Sequence, residues 1–76
     1  MQIGKCYKIL TSQLLFTSKT SEISVGTIQK NSLFVLLDWF QLDDNGFMMF
    51  KILFEGKLYY IDSFASELRE TFNEIK

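Results

Sequence analysis

The sequence predicts a mainly β protein: a small barrel or strongly curled antiparallel sheet carrying one amphipathic helix at its C-terminus. Three observations lead there. Two tight-turn pairs, Asn45-Gly46 and Glu55-Gly56, separate the apolar runs SLFVLLDWF, FMMFKILF and KLYYID. The first two runs are apolar on both parities, which requires cover on both faces of the sheet. The tail SFASELRETFNEIK then switches to helical spacing, with Phe64, Leu68, Phe72 and Ile75 on one side. A chain of 76 residues makes one domain, with 1–62 as the sheet and 63–76 as the helix.

From the N-terminus, IGKCYKIL reads as a first strand, with Ile3, Tyr7 and Ile9 on one face and Cys6 and Leu10 on the other. TSQLLFTSKTSEIS is a long polar excursion whose apolar Leu14-Leu15-Phe16 forms a strand-like tip. A short strand around 23–29 follows, in which Gly26 marks a bend or bulge. The three apolar runs give strands over 33–42, 47–54 and 57–62, joined as a meander. In the first of them Leu33, Val35, Leu37 and Trp39 share one face and Phe34, Leu36 and Phe40 the other. In the second, Phe47, Met49 and Leu53 oppose Met48, Phe50, Ile52 and Phe54. Asn45-Gly46 is the stronger hairpin signal, because both central residues of a type I′ turn need positive φ, which Asn tolerates and Gly adopts freely. The final helix spans about ten residues, too short to persist alone, so it must pack on the sheet or close a barrel end. Ser63 or Ser66 can cap it, and Glu67 suits its positive end.

Composition excludes several functions. There is no histidine, which removes the commonest general base, the Ser-His and Cys-His nucleophiles and mixed Cys/His zinc sites. The lone Cys6 excludes an intramolecular disulfide and points to a reducing compartment. No segment has the apolar core of a signal peptide or the roughly 20 apolar residues of a membrane span, so a cytoplasmic protein is expected. The formal charge of −1 is unevenly placed: lysines dominate up to Leu37, and Asp and Glu dominate beyond it. A nucleic-acid binder usually carries a strong basic stripe, which this balance lacks. Gly4, Gly26, Gly46 and Gly56 stand apart and form no phosphate-cradling loop. Neither an enzyme nor a cofactor is expected.

A first strand, a long polar loop, a turn at VGTIQKNS and three hairpin-joined strands resemble a small SH3-like barrel over residues 3–62. The resemblance implies that the polar segment is the long first loop, VGTIQKNS the diverging turn, and Asp43–Gly46 and Glu55–Gly56 the next hairpins. Peptide-binding SH3 domains carry an ALYDY-like aromatic motif and a proline near the last strand. This chain has no such motif and no proline, so recognition of proline-rich peptides is not implied. The segment after Asp62 also departs from the pattern, reading as a helix instead of a short fifth strand. The chain is more similar to the short barrels of small bacteriophage-encoded proteins, whose typical roles are to bind host proteins or nucleic acid.

Four groups of residues are candidates for chemistry. Asp43, Asp44 and Asn45, with Glu55, offer oxygens to Mg²⁺ or Ca²⁺, but the EF-hand spacing is absent and a solvated turn explains the same residues, so no metal is expected. Cys6, near Lys5 and Lys8, has the neighbours of an activated thiol, while its strand context makes it a small buried apolar residue. Lys5, Lys8, Lys19, Lys30, Lys51 and Lys57, with Tyr7, Trp39, Tyr59 and Tyr60, would suit a single nucleic-acid strand if they shared one surface. Trp39, Phe40, Phe47, Met48, Met49 and Tyr59 would suit a protein partner, unless the helix and the long loop hide them. A symmetric homodimer would cover the same excess.

The expected function is a non-catalytic binding module, a phage accessory protein that docks on a host protein in the host cytoplasm. Trp39, Phe40, Tyr59 and Tyr60 would provide its buried contacts, and Asp43, Asp44 and Glu55 would steer it to a basic partner. The alternatives are nucleic-acid binding through Lys5, Tyr7, Lys8, Lys30, Lys51 and Lys57, and a self-assembling structural subunit.

Overall fold

The apolar runs become strands of one five-stranded antiparallel sheet. In the computed structural model, which describes residues 1–18, 20 and 22–75, the chain forms β1 (Cys6–Ile9), β2 (Gln13–Leu15), β3 (Gly26–Ile28), β4 (Leu33–Gln41), β5 (Phe47–Phe54) and β6 (Lys57–Phe64). A 3-10 turn at Ala65–Glu67, a single helical turn α1 (Leu68–Thr71) and a last strand β7 (Phe72–Glu74) complete it. The large sheet has the order β6-β5-β4-β1-β7, and β2 pairs with β3 separately. This is the mainly β class with a C-terminal helix that the sequence predicts.

Connectivity alone requires the sheet to curl. Its two edges, β6 and β7, are joined by Ala65–Thr71, and those helical turns rise only about 12 Å. A flat five-stranded sheet would hold its edges roughly 19 Å apart. Rolling closes the gap and encloses Ile9, Ile28, Leu36, Phe50, Ile52 and Ile61, the most deeply buried side chains. Leu15 and Ile28 bring the β2–β3 hairpin into the same core. The radius of gyration, 11.2 Å, matches the roughly 11 Å of a compact domain of this length.

A β-bulge between Leu36 and Asp38 sets which side chains face out. Before it, Phe34 and Leu36 point to the core, and Leu33 and Val35 away from it. One residue per bulge goes unpaired, so the alternation reverses afterwards. Asp38 pairs with Lys51, Trp39 with the fully buried Phe50, and Phe40 with Met49. Trp39 therefore parts from Leu33 and Val35, and Phe40 parts from Phe34 and Leu36, contrary to the unbroken alternation read from the sequence. β5 has no bulge, and its predicted faces hold.

Three local expectations change. The first strand begins at Cys6, not Ile3, because the chain turns at Gly4 (φ 85°), whose N–H donates to the Leu36 carbonyl at 2.7 Å. Ile3 is consequently exposed. The type I′ signature expected at Asn45-Gly46 falls at the other turn: Glu55 and Gly56 both have positive φ (51° and 76°), whereas at Asn45-Gly46 only Gly46 does (85°). Leu42 N–H donates to the Phe47 carbonyl at 2.9 Å and closes a wider loop at Asp43–Gly46.

The C-terminal helix over 63–76 is the third. Ser63 and Phe64 finish β6, the helical part ends at Thr71, and Phe72–Glu74 pair with β1; Lys76 lies outside the described residues. A short isolated helix is marginal, while β1 without a neighbour would be an open edge. Pairing there also seats Phe72 edge-on to Phe34 and Phe50, with centroids 5.6 and 5.4 Å apart. No side chain caps α1; Ser63 is buried, with its hydroxyl 3.4 Å from that of Thr71. A short strand thus follows the helical turn, where the sequence predicts helix to the end.

Candidate docking face

Residues paired in register stand on the same side of a sheet, so the outer face of β4, β5 and β6 can be read in rows. The first is Val35, Leu53 and Leu58, and the second Asp38, Lys51 and Tyr60. Phe40, Met49 and Asp62 form the third, and Leu42, Phe47 and Phe64 the fourth. Only Asp38, Lys51 and Asp62 carry charge in these four rows. Leu58 is 55% exposed and Leu53 38%, while Met49 is only 4% exposed.

Met49 is hidden without belonging to the main core, and so is Phe16. The outer face thus has its own apolar layer. Phe40 lies 6.5 Å from Tyr60 and Phe47 5.4 Å from Phe64, centroid to centroid. Phe16 joins the free side of β6 through two backbone bonds with Tyr60, of 2.8 and 2.7 Å. Ring pairs at these separations hold one another in place before any partner arrives.

Asp62 is half-buried in this layer, and burial pushes its carboxyl above the usual carboxylate range, against the opposing pull of its own backbone hydrogen bond. Among the described residues, no lysine or arginine forms an ion pair with it. Sequence reading passed over this residue. The signal available was its place as the sole acid of β6, directly after the apolar and aromatic run LYYI.

The predicted binding residues do not form one surface. Phe40 and Tyr60 meet on the outer face. Tyr59 stands on the core side, packed against the core and 6.3 Å from Phe54. Trp39 also has core-side parity, although it remains 44% exposed because β1 stops pairing with β4 at Val35. Asp43 and Asp44 lie in the β4–β5 loop and Glu55 in the β5–β6 turn, at opposite ends of β5, roughly 25 Å apart along the strand. They form two separate acidic corners, not one rim.

The Asp43 carboxylate is occupied: Oδ1 accepts the N–H of Asn45 at 2.9 Å and of Phe47 at 3.1 Å, which is the turn role of Asp. Among the described residues no group of three acids, cysteines or histidines stands ready for a metal. Cys6 is half-buried on the outer side, opposite Val35. For the nucleic-acid alternative, Tyr7 is 4% exposed and cannot stack on a base. Lys5, Lys30 and Lys57 are exposed in different turns and strands, and Lys8 and Lys51 half-buried; Lys19 lies outside the described residues. An open groove of about 620 Å³ runs beside α1, lined by Gln2, Leu68, Arg69, Phe72, Asn73 and Glu74 among others. No described helix is long and apolar enough to cross a membrane, which says nothing of spans made by strands.

Against known protein families, curated proteins and solved structures, the chain has no significant match.

Proposed function

We propose that the chain is a non-catalytic binding module that seats a protein partner on the outer face of β4, β5 and β6. One observation carries the reading: four registered rows of that face are apolar or aromatic except for Asp38, Lys51 and Asp62, and Leu53, Leu58 and Phe64 remain open to water. A face that leaves leucine and aromatic side chains in water around a few charges has the chemistry of an interface. The contacts we assign are Phe40 and Tyr60, with Leu53, Leu58 and Phe64 in place of Trp39 and Tyr59. By likeness to the small phage-encoded barrels, the partner in view is a host protein met in the bacterial cytoplasm.

The test is capture of partners on the tagged chain from a nuclease-treated bacterial lysate, followed by a high-salt wash. The same experiment is run with a folded Phe40→Ala, Leu53→Asp double variant. One stoichiometric protein held by the wild type and lost by the variant supports the module. Retention by both would overturn the assigned face. Nucleic acid recovered only at low salt would favour the Lys surface instead, since phosphate contacts weaken steeply with salt. A bait whose mass grows with concentration would favour a second copy of the chain on this face.

A further inference from the structure

We propose that Asp62 receives an arginine side chain of the partner, with the guanidinium lying on the outer face of β5 and β6 between the Tyr60 and Phe64 rings. This rests on the docking reading above and specifies the chemistry of its partner. The placement follows from register. Asp62 is on the outermost strand of the sheet, opposite Met49, with Tyr60 and Phe64 as its outer-face neighbours along the strand. Both rings have an aromatic neighbour on the same face, Tyr60 beside Phe40 and Phe64 beside Phe47.

A carboxylate partly withdrawn from water lacks an ion-pair partner among the described residues. The cation that suits it must shed its own water cheaply. Guanidinium does so: it is weakly hydrated, planar enough to stack on a ring, and able to give a carboxylate two parallel N–H bonds. An ammonium is compact and strongly hydrated, which makes lysine the poorer fit. The charged groups of the surrounding elements are Lys51, diagonal to Asp62 on β5, and Asp38 on β4. Lys51 is registered directly against Asp38 and Tyr60, so its nearest laddered carboxylate is Asp38.

The probe is an N-acetylated, C-amidated leucine-arginine-leucine tripeptide, titrated into the full chain and followed by NMR. The control peptide carries citrulline, which keeps the planar shape but loses the charge and exchanges one NH2 donor group for a carbonyl acceptor. We expect saturable shifts at the Asp62 carboxyl and the Tyr60 and Phe64 rings. Affinity for the citrulline peptide should be about tenfold weaker, the difference between a charge-assisted and a neutral hydrogen bond. The Asp62 titration should move to lower pH in the presence of the arginine peptide. Asp62→Asn, which removes a charge and no volume, should erase the preference between the peptides; Phe64→Ala should weaken both. Equal binding of the two peptides to the wild type, or shifts centred on Asp43, Asp44 or Glu55, would overturn the proposal. A captured protein lost with Phe40→Ala, Leu53→Asp but retained by Asp62→Asn would leave the docking module standing and remove the arginine site alone.

Discussion

At the scale of single residues, two carboxylates in one small sheet do opposite things. Asp43 stabilises, because its oxygen accepts two loop amides. Asp43→Ala should cost about 1–2 kcal/mol, read as a lower urea midpoint, and Asp43→Asn, which keeps an acceptor oxygen, should recover most of it. Asp62 destabilises at neutral pH. Its folded carboxyl titrates above the ordinary value of 3.8, so the native state binds a proton more readily than the unfolded chain. The benefit is present in acid and is lost as pH rises through the raised folded value. Asp62→Asn should therefore melt above the wild type at pH 7, and the gap should close below pH 3.8, where both states of the wild type are protonated. An equal gap at both pH values would contradict the burial argument.

At the scale of elements, the C-terminal segment carries most of the architectural weight. β7 occupies the free side of β1 and brings Phe72 between Phe34 and Phe50. A chain of this size has roughly 3–5 kcal/mol of net stability to lose, and removing a buried Phe side chain costs about as much. Ending the chain at Thr71 should accordingly abolish the cooperative melt seen by circular dichroism. A truncated chain that still unfolds sharply would mean that β7 is an appendage. The bulge in β4 is the other decisive element, since it alone carries Phe40 to the outer face, where it meets Tyr60.

At the scale of the molecule, a 76-residue domain cannot bury all the apolar surface its strands carry. The core takes one face of each strand, and the excess collects outside β4, β5 and β6. Leu53 and Leu58 are partly open there, so Leu53→Asp should destabilise by only about 1 kcal/mol, the span of strand preference. Phe40→Ala, at the centre of the proposed contact, should cost the partner complex about 2 kcal/mol or more in a folded chain. A large loss of folding in Leu53→Asp would instead place that side chain in the protein's own packing.

Much was legible in the sequence because its cause is local. Turn residues placed the hairpins at Asp43–Gly46 and Glu55–Gly56, and long apolar runs marked β4, β5 and β6 within one or two residues. The apolarity of both strand faces implied cover on each without telling which face lies outside; Phe40 and Tyr60 meet on the outer one. Tertiary structure decided the grouping. A strand's faces are defined by what it pairs with, so the bulge after Leu36, which reverses every later side chain, left no local mark that would move Trp39 away from Leu33 or Phe40 away from Phe34. The same holds at the C-terminus: Phe64, Leu68, Phe72 and Ile75 have helical spacing, yet β1 lies in reach and its unpaired backbone outweighs a local preference worth a few tenths of a kcal/mol per residue. Asp62 became a candidate only when register set it between two rings.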